Sequence, residues 1–157
     1  MKKAKTLAAA LFILILVAAC TGGTNEASEV VDGAFTVTDV WSRTTPAVAQ
    51  NGVFYMTLNN RTDADEILQA VSVDVCTAVE LHEMYDKGEG LMGMRPVEGG
   101  IILIPAGETV ELHPGGLHVM CIGKEEDFNL GDTIPLTLQL LYAGEMTVTA
   151  EVKESGE

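Results

Sequence analysis

From Ala34 onward, no long segment spaces its apolar residues at the three- and four-residue intervals of an amphipathic helix. Short runs rich in valine, isoleucine, leucine and threonine recur instead, separated by glycine, proline and asparagine. Nine strands are predicted: residues 35–41, 53–59, 67–73, 79–84, 101–104, 109–113, 117–122, 134–142 and 146–152. The sequences Asn51-Gly52, Pro114-Gly115-Gly116 and Ala143-Gly144-Glu145 read as turns between them. Short strands at this spacing predict an all-β domain, an antiparallel sandwich or barrel, with no internal repeat and no second domain.

The N-terminus changes the picture of where this domain works. Lys2, Lys3 and Lys5 precede an unbroken apolar run, Leu7 to Ala19, that stops at Cys20. A basic start, an apolar stretch too short to span a bilayer and small residues at the cut make residues 1–19 a secretory signal. Val17-Ala18-Ala19-Cys20 resembles the bacterial lipobox, in which the cysteine is lipidated and becomes the mature N-terminus. Simple secretion and an uncleaved anchor helix are the alternatives. Residues 20–33, small, polar and acidic, read as a flexible tether, and residues 34–153 as the folded domain. The expected location is extracytoplasmic, in a periplasm or on the outer face of the cell membrane, with the membrane held through the lipid.

Without the signal, six basic residues face twenty-three acidic ones, a formal charge of −17. Such a surface repels phosphate and excludes nucleic acid as the expected partner. With Cys20 taken by lipid, Cys76 and Cys121 remain. In an oxidising compartment a structural disulfide is the favoured reading; two buried thiols or two thiolate ligands are the others.

The candidate chemistry is concentrated. All three histidines, His82, His113 and His118, and four of the six methionines after Met1, namely Met84, Met92, Met94 and Met120, fall between residues 82 and 120. Thioether sulfur is a soft donor suited to Cu(I), and imidazole binds copper in either oxidation state, so this mixture selects copper over calcium or magnesium. Zinc sites ordinarily use cysteine, histidine and carboxylate. Strand alternation puts His82 and Met84 on one face, and His118 and Met120 on one face with Leu117, Val119 and Cys121 on the other. His113 and His118 flank Pro114–Leu117; a tight hairpin there would set them opposite each other and make His113 an auxiliary ligand, against the plainer reading of a solvated histidine at a strand end. Methionine also fills cores, but Met92 and Met94 lie in a glycine-rich stretch, residues 88–94, that reads as a hairpin loop, where a core methionine has less reason to be.

The motifs His82-Glu83-Met84, Met94-Arg95-Pro96-Val97-Glu98-Gly99-Gly100, Ile104-Pro105-Ala106-Gly107, Pro114-Gly115-Gly116 and His118-Val119-Met120 closely resemble the periplasmic copper chaperone family PCu(A)C. Trp41-Ser42-Arg43, Pro46, Asn51-Gly52 and Tyr55 resemble its opening strands, so the likeness covers about residues 35–150. It implies a cupredoxin-like antiparallel Greek-key β-sandwich. It also implies Cu(I) held by His82, Met94, His118 and Met120 and delivered toward the binuclear copper site of cytochrome c oxidase, to its subunit II or to another copper chaperone. The family pattern has about ten residues between the first histidine and the methionine and about twenty-one before the second histidine; here the gaps are eleven and twenty-three. Loop insertions are tolerated, and the extra residues make Met92 the alternative to Met94, with Met84 a further auxiliary candidate. The two cysteines stand outside the family motif, and a Cys76–Cys121 bridge would staple the two ligand strands.

No Ser/His/Asp arrangement or phosphate loop is present, so the chain reads as not an enzyme. An electron-transfer cupredoxin needs a cysteine ligand placed before a histidine in the last loop, and a thiol-disulfide oxidoreductase needs Cys-x-x-Cys; neither pattern occurs. A copper-buffering or resistance lipoprotein without a dedicated acceptor is the remaining alternative.

Overall fold

A computed structural model describes residues 30–31, 34–46 and 48–154; the signal segment, Cys20 and most of the tether lie outside the described residues. The strands are β1 (Val30–Val31), β2 (Phe35–Arg43), β3 (Asn51–Asn60), β4 (Glu66–Ser72), β5 (Cys76–Asp86), β6 (Met92–Pro96), β7 (Ile102–Ile104), β8 (Thr109–Leu112), β9 (His118–Lys124), β10 (Thr133–Leu140) and β11 (Gly144–Lys153). One short 3-10 turn, Glu98–Gly100, is the one helical element among the described residues. The all-β fold expected from the sequence is the fold found.

Hydrogen bonding runs through the strands in the order β6-β5-β9-β3-β2-β11-β10-β4-β7, with β1 on β2 and β8 on β3. The chain crosses between the two ends of this order from β3 to β4, β4 to β5, β6 to β7, β7 to β8 and β9 to β10, the long connections of a Greek key among them. The sheet folds over so that β7 comes to lie near β3, and one apolar core fills the space between. It is built from alternate residues such as Val37, Phe54, Leu58, Leu68, Val119, Leu136, Leu138, Val148 and Val152, all at most 2% exposed. β10 and β11 show the cause most plainly: Ile134, Leu136, Leu138 and Leu140 turn inward while Thr133, Pro135 and Gln139 face water.

Three details differ from the sequence expectation. β2 and β11 pair in parallel, Glu151 with Trp41 and Lys153 with Arg43, so the sandwich is antiparallel in every ladder but one. Val30 and Val31 pair with Thr36 and Phe35, which starts strand structure inside the segment read as tether. β2 is also bent: its register on β3 shifts between Thr38 and Trp41, at Asp39 with φ 52°.

Cys76 and Cys121 are joined by a disulfide spanning 45 residues, with Cα atoms 5.5 Å apart. The bond links β5 to β9. Loop-closure entropy for a ring of this length is about 4 kcal/mol. Cys121 is fully buried in the core.

Candidate metal centre

Three neighbouring strands, β6, β5 and β9, carry the site on the sheet face opposite the core, with β3 beside β9. Leu81, Val119 and Phe54 point inward from β5, β9 and β3, which turns the residues next to them outward. Residues directly opposed in an antiparallel ladder share a face. His82 opposes His118 on one side and Pro96 on the other; Met84 opposes Met94, and Asp86 opposes Met92. Glu80 opposes Met120, which in turn opposes Val53. His82, Met84, Met92, Met94, His118 and Met120 therefore lie on one surface.

The two imidazoles are the buried heart of it, 8% and 4% exposed, with ring centroids 5.8 Å apart. Two imidazoles sharing one ion through bonds of about 2.0 Å have centroids on the order of 5–6 Å apart. Their hydrogen bonds fix their tautomers, because a carbonyl or carboxylate oxygen only accepts. His118 Nδ1–H donates to the Gly116 carbonyl at 3.0 Å, leaving the Nε2 lone pair open. His82 Nε2–H donates to Glu80 Oε2 at 2.8 Å, and His82 Nδ1 is buried with no partner. An unpaired buried acceptor costs about 1–3 kcal/mol, and a metal ion is one way to satisfy it. Burial pushes the His118 pKa below the ordinary imidazole value; the Gly116 carbonyl opposes the shift and His82 adds to it. His118 is thereby held neutral and available as a donor at neutral pH.

Among the described residues no three His, Cys, Asp or Glu side chains converge to hold a metal. Further donors beside the histidine pair must come from another residue type, and the face offers thioethers. Met120 and Met84 are half-buried, whereas Met94 and Met92 are 51% and 54% exposed. The glycine-rich stretch read as a loop is in part strand: Met92–Pro96 pairs with β5, and the turn is confined to residues 87–91, closed by Lys87 N–H donating to the Leu91 carbonyl.

His113 is the exposed histidine at a strand end of the plainer reading, not an auxiliary ligand opposite His118. β8 and β9 do not form a hairpin; both pair with β3, β8 with Met56–Asn59 and β9 with Asn51–Phe54. They are one strand line interrupted by a bulge at residues 113–117, so His113 does not oppose His118. His113 Nδ1–H donates to the Pro114 carbonyl, and its ring lies over Gly116, where a Cβ would come within 2.6 Å of Nε2. A Cβ at 116 would have to push this exposed ring aside.

A family model described as "Putative lipoprotein LpqE-like" matches residues 35–152. The chain belongs to the LpqE-like family. One curated relative of this LpqE-like chain is "Putative lipoprotein Lxx21020" of Leifsonia xyli subsp. xyli, 29% identical over 97 residues, which are 62% of this chain and 57% of the relative. The matched segment therefore spans little more than half of that relative's length. Among solved structures, the apo PCuAC domain from PmoF1 superposes with a TM-score of 0.66 at 25% identity, over 80% of this chain and 98% of that domain. The solution structure of Cu(I)-DR1885 from Deinococcus radiodurans gives 0.58 at 28% identity, over 73% and 75% of the two chains. The LpqE-like chain has the PCuAC fold, and the resemblance read from its motifs holds.

Two contributors to this face were missed in the sequence of the LpqE-like chain. Glu80 orients His82, and its signal was the Glu-x-His spacing, which puts a carboxylate on the histidine's own face. The Gly116 carbonyl accepts from both His118 Nδ1 and the Met84 N–H, the latter at 3.2 Å. A backbone acceptor of this kind leaves no mark in the sequence beyond the glycine.

Proposed function

We propose that this protein is an extracytoplasmic Cu(I) metallochaperone, tethered to the membrane by lipid on Cys20. In this reading it holds one Cu(I) with His82, Met94, His118 and Met120. It delivers the ion toward the binuclear copper site of cytochrome c oxidase, to subunit II or through another copper chaperone. The observation that carries the reading is the direct opposition of His82 and His118, each with one free ring nitrogen, on a face whose remaining soft donors are thioethers. The similarity to Cu(I)-loaded DR1885 supports the same cargo. The family description and the name of the Leifsonia relative, both lipoproteins, support the anchor.

Copper is cargo here. Neutral imidazole and thioether donors bind Cu(I) without the tight hold of thiolates, so a partner presenting thiolates can enter the coordination sphere and draw the ion away. The half-exposed Met94 is the side from which such a partner would approach. Electron transfer of the cupredoxin kind would need a cysteine thiolate on the metal; Cys121 is bonded to Cys76 behind the site, which supports the chaperone reading over that one. Nothing in the proposed cycle requires a nucleophile or general base, in keeping with a protein that is not an enzyme.

The test is anaerobic titration of the full chain with Cu(I) against a chromophoric chelator. One tight equivalent is expected, weakened by roughly tenfold or more in His118→Ala and in Met94→Ala, since loss of even an outer-sphere partner costs about that much. Absence of a tight equivalent, or variants that bind as the parent does, would overturn the proposal. Copper transfer to a soluble fragment of the oxidase subunit separates delivery from buffering.

A further inference from the structure

Beside the histidine pair, the β5–β6 hairpin carries a second group of soft donors. Met84 and Met94 are directly opposed, and Met92 is two residues from Met94 on the same strand, so all three thioethers share one face. Directly opposed residues have Cβ atoms about 4.5–5.5 Å apart, and diagonal neighbours about 7–8 Å, distances that flexible methionine side chains close easily. Packing does not account for the two on β6. The chain's core methionines, Met56 and Met146, are 1% and 2% exposed, whereas Met92 and Met94 are more than half exposed. Nor does the turn require them: the glycines that shape it, Gly88 and Gly90 with φ 90° and 77°, precede the strand. β6 lies at the end of the strand order, where an incoming ion or partner meets it first. Asp86 opposes Met92, adding a negative charge beside the outermost thioether.

We propose that Met84, Met92 and Met94 form a second, shallower Cu(I) station made of thioethers alone, through which the ion enters and leaves the histidine site. The inference rests on the proposed chaperone function and deepens it. Met94 belongs to both stations. Inward movement is ligand exchange at a single ion: bonds to imidazole nitrogen and to Met120 form as the bonds to Met92 and Met84 break, with Met94 attached throughout. Copper remains Cu(I) and no electron moves; the new bonds form at His118 Nε2 and His82 Nδ1, the ring nitrogens not engaged in a hydrogen bond.

The experiment uses the full chain with methionine ε-methyl groups labelled with 13C and Ag(I) as a redox-inert probe of the same softness. In His82→Ala/His118→Ala, one weak, rapidly exchanging equivalent of Ag(I) is expected to shift the methyl signals of Met84, Met92 and Met94, and adding Met84→Leu and Met92→Leu should abolish it. Because the histidine variant could lose its fold, the unmodified chain is titrated as well: Met94 serves both stations, so they fill one at a time, and below one equivalent exchange between them should shift or broaden the Met92 and Met84 methyl signals while the Met56 and Met146 signals stay fixed. If the unmodified chain takes one tight equivalent and the Met92 and Met84 methyls neither shift nor broaden at any point of the titration, the outer station is overturned and the chaperone site stands. If Ag(I) shifts the three outer methyls but no tight equivalent forms at the histidines, the outer station stands and the chaperone reading falls.

Discussion

Methionine occupies two environments in this molecule. Met146 on β11 and Met56 on β3 are sealed among valines, leucines and phenylalanines, while Met92 and Met94 on β6 stand half in water on the face that carries His82 and His118. The same side chain is filler in one place and a soft donor in the other. What separates the two roles is which side of a strand the residue takes and whether the second layer of the sandwich covers it. The β10–β11 side of the sheet is organised by burial; the β5–β6 side is organised by donors that the burial of Leu81 and Val119 turns outward.

The contrast breaks most visibly on stability. Met146→Ala should cost about 2–5 kcal/mol, as truncation of a buried methionine does, and leave Cu(I) affinity unchanged. Urea unfolding and chelator competition on the same preparation measure both. Cys76→Ser/Cys121→Ser should cost about 2–4 kcal/mol through the freed denatured chain, seen as a lower urea midpoint; an unchanged midpoint would mean that the bond between β5 and β9 constrains nothing. Met94→Leu is the mirror image of the core variant: stability within about 1 kcal/mol of the parent, as for an exchange of similar volume, but Cu(I) affinity down by roughly tenfold or more.

The smallest effect concerns pH. The folded His118 pKa lies below its unfolded value near 6.5 because burial disfavours the charged ring. As pH falls below 6.5 the unfolded chain takes up a proton that the folded chain does not, so stability present above that pH is lost progressively until the folded pKa is passed. Thermal melts of the apo protein from pH 7.5 to pH 5 should fall more steeply than those of His118→Asn. Equal slopes would mean that the histidine is not held neutral by the fold.

Much of the sandwich was legible because alternation on a half-buried strand is itself the structure: Ile134 to Leu140 could be read residue by residue. β6 was not, for a physical reason. Its inward residue is Gly93, shielded by the Lys87 side chain, so Met92–Pro96 offers no apolar partner to alternate with, and Gly93 together with Gly88 and Gly90 before it resembles a turn. The parallel pairing of β2 with β11 leaves no trace either, since the inward and outward residues of Trp41–Arg43 are the same in either direction. The histidine pair was half legible. Faces followed from spacing, whereas the opposition of His82 to His118 is a register that only the folded ladder sets. At His113 the plainer reading of a solvated strand-end histidine holds; the alternative failed because Pro114–Leu117 has the length of a hairpin turn, while the ten-residue β3 is long enough to pair with β8 and β9 in succession.

Two imidazoles and two thioethers are proposed to hold Cu(I), and X-ray absorption at the copper edge of the anaerobically loaded full chain reads those donors directly. The expected spectrum has a Cu(I) edge with two nitrogen and two sulfur neighbours, falling to one nitrogen in His118→Ala and to one sulfur in Met94→Leu. A shell of nitrogen and oxygen alone, or one unchanged by both substitutions, would contradict it.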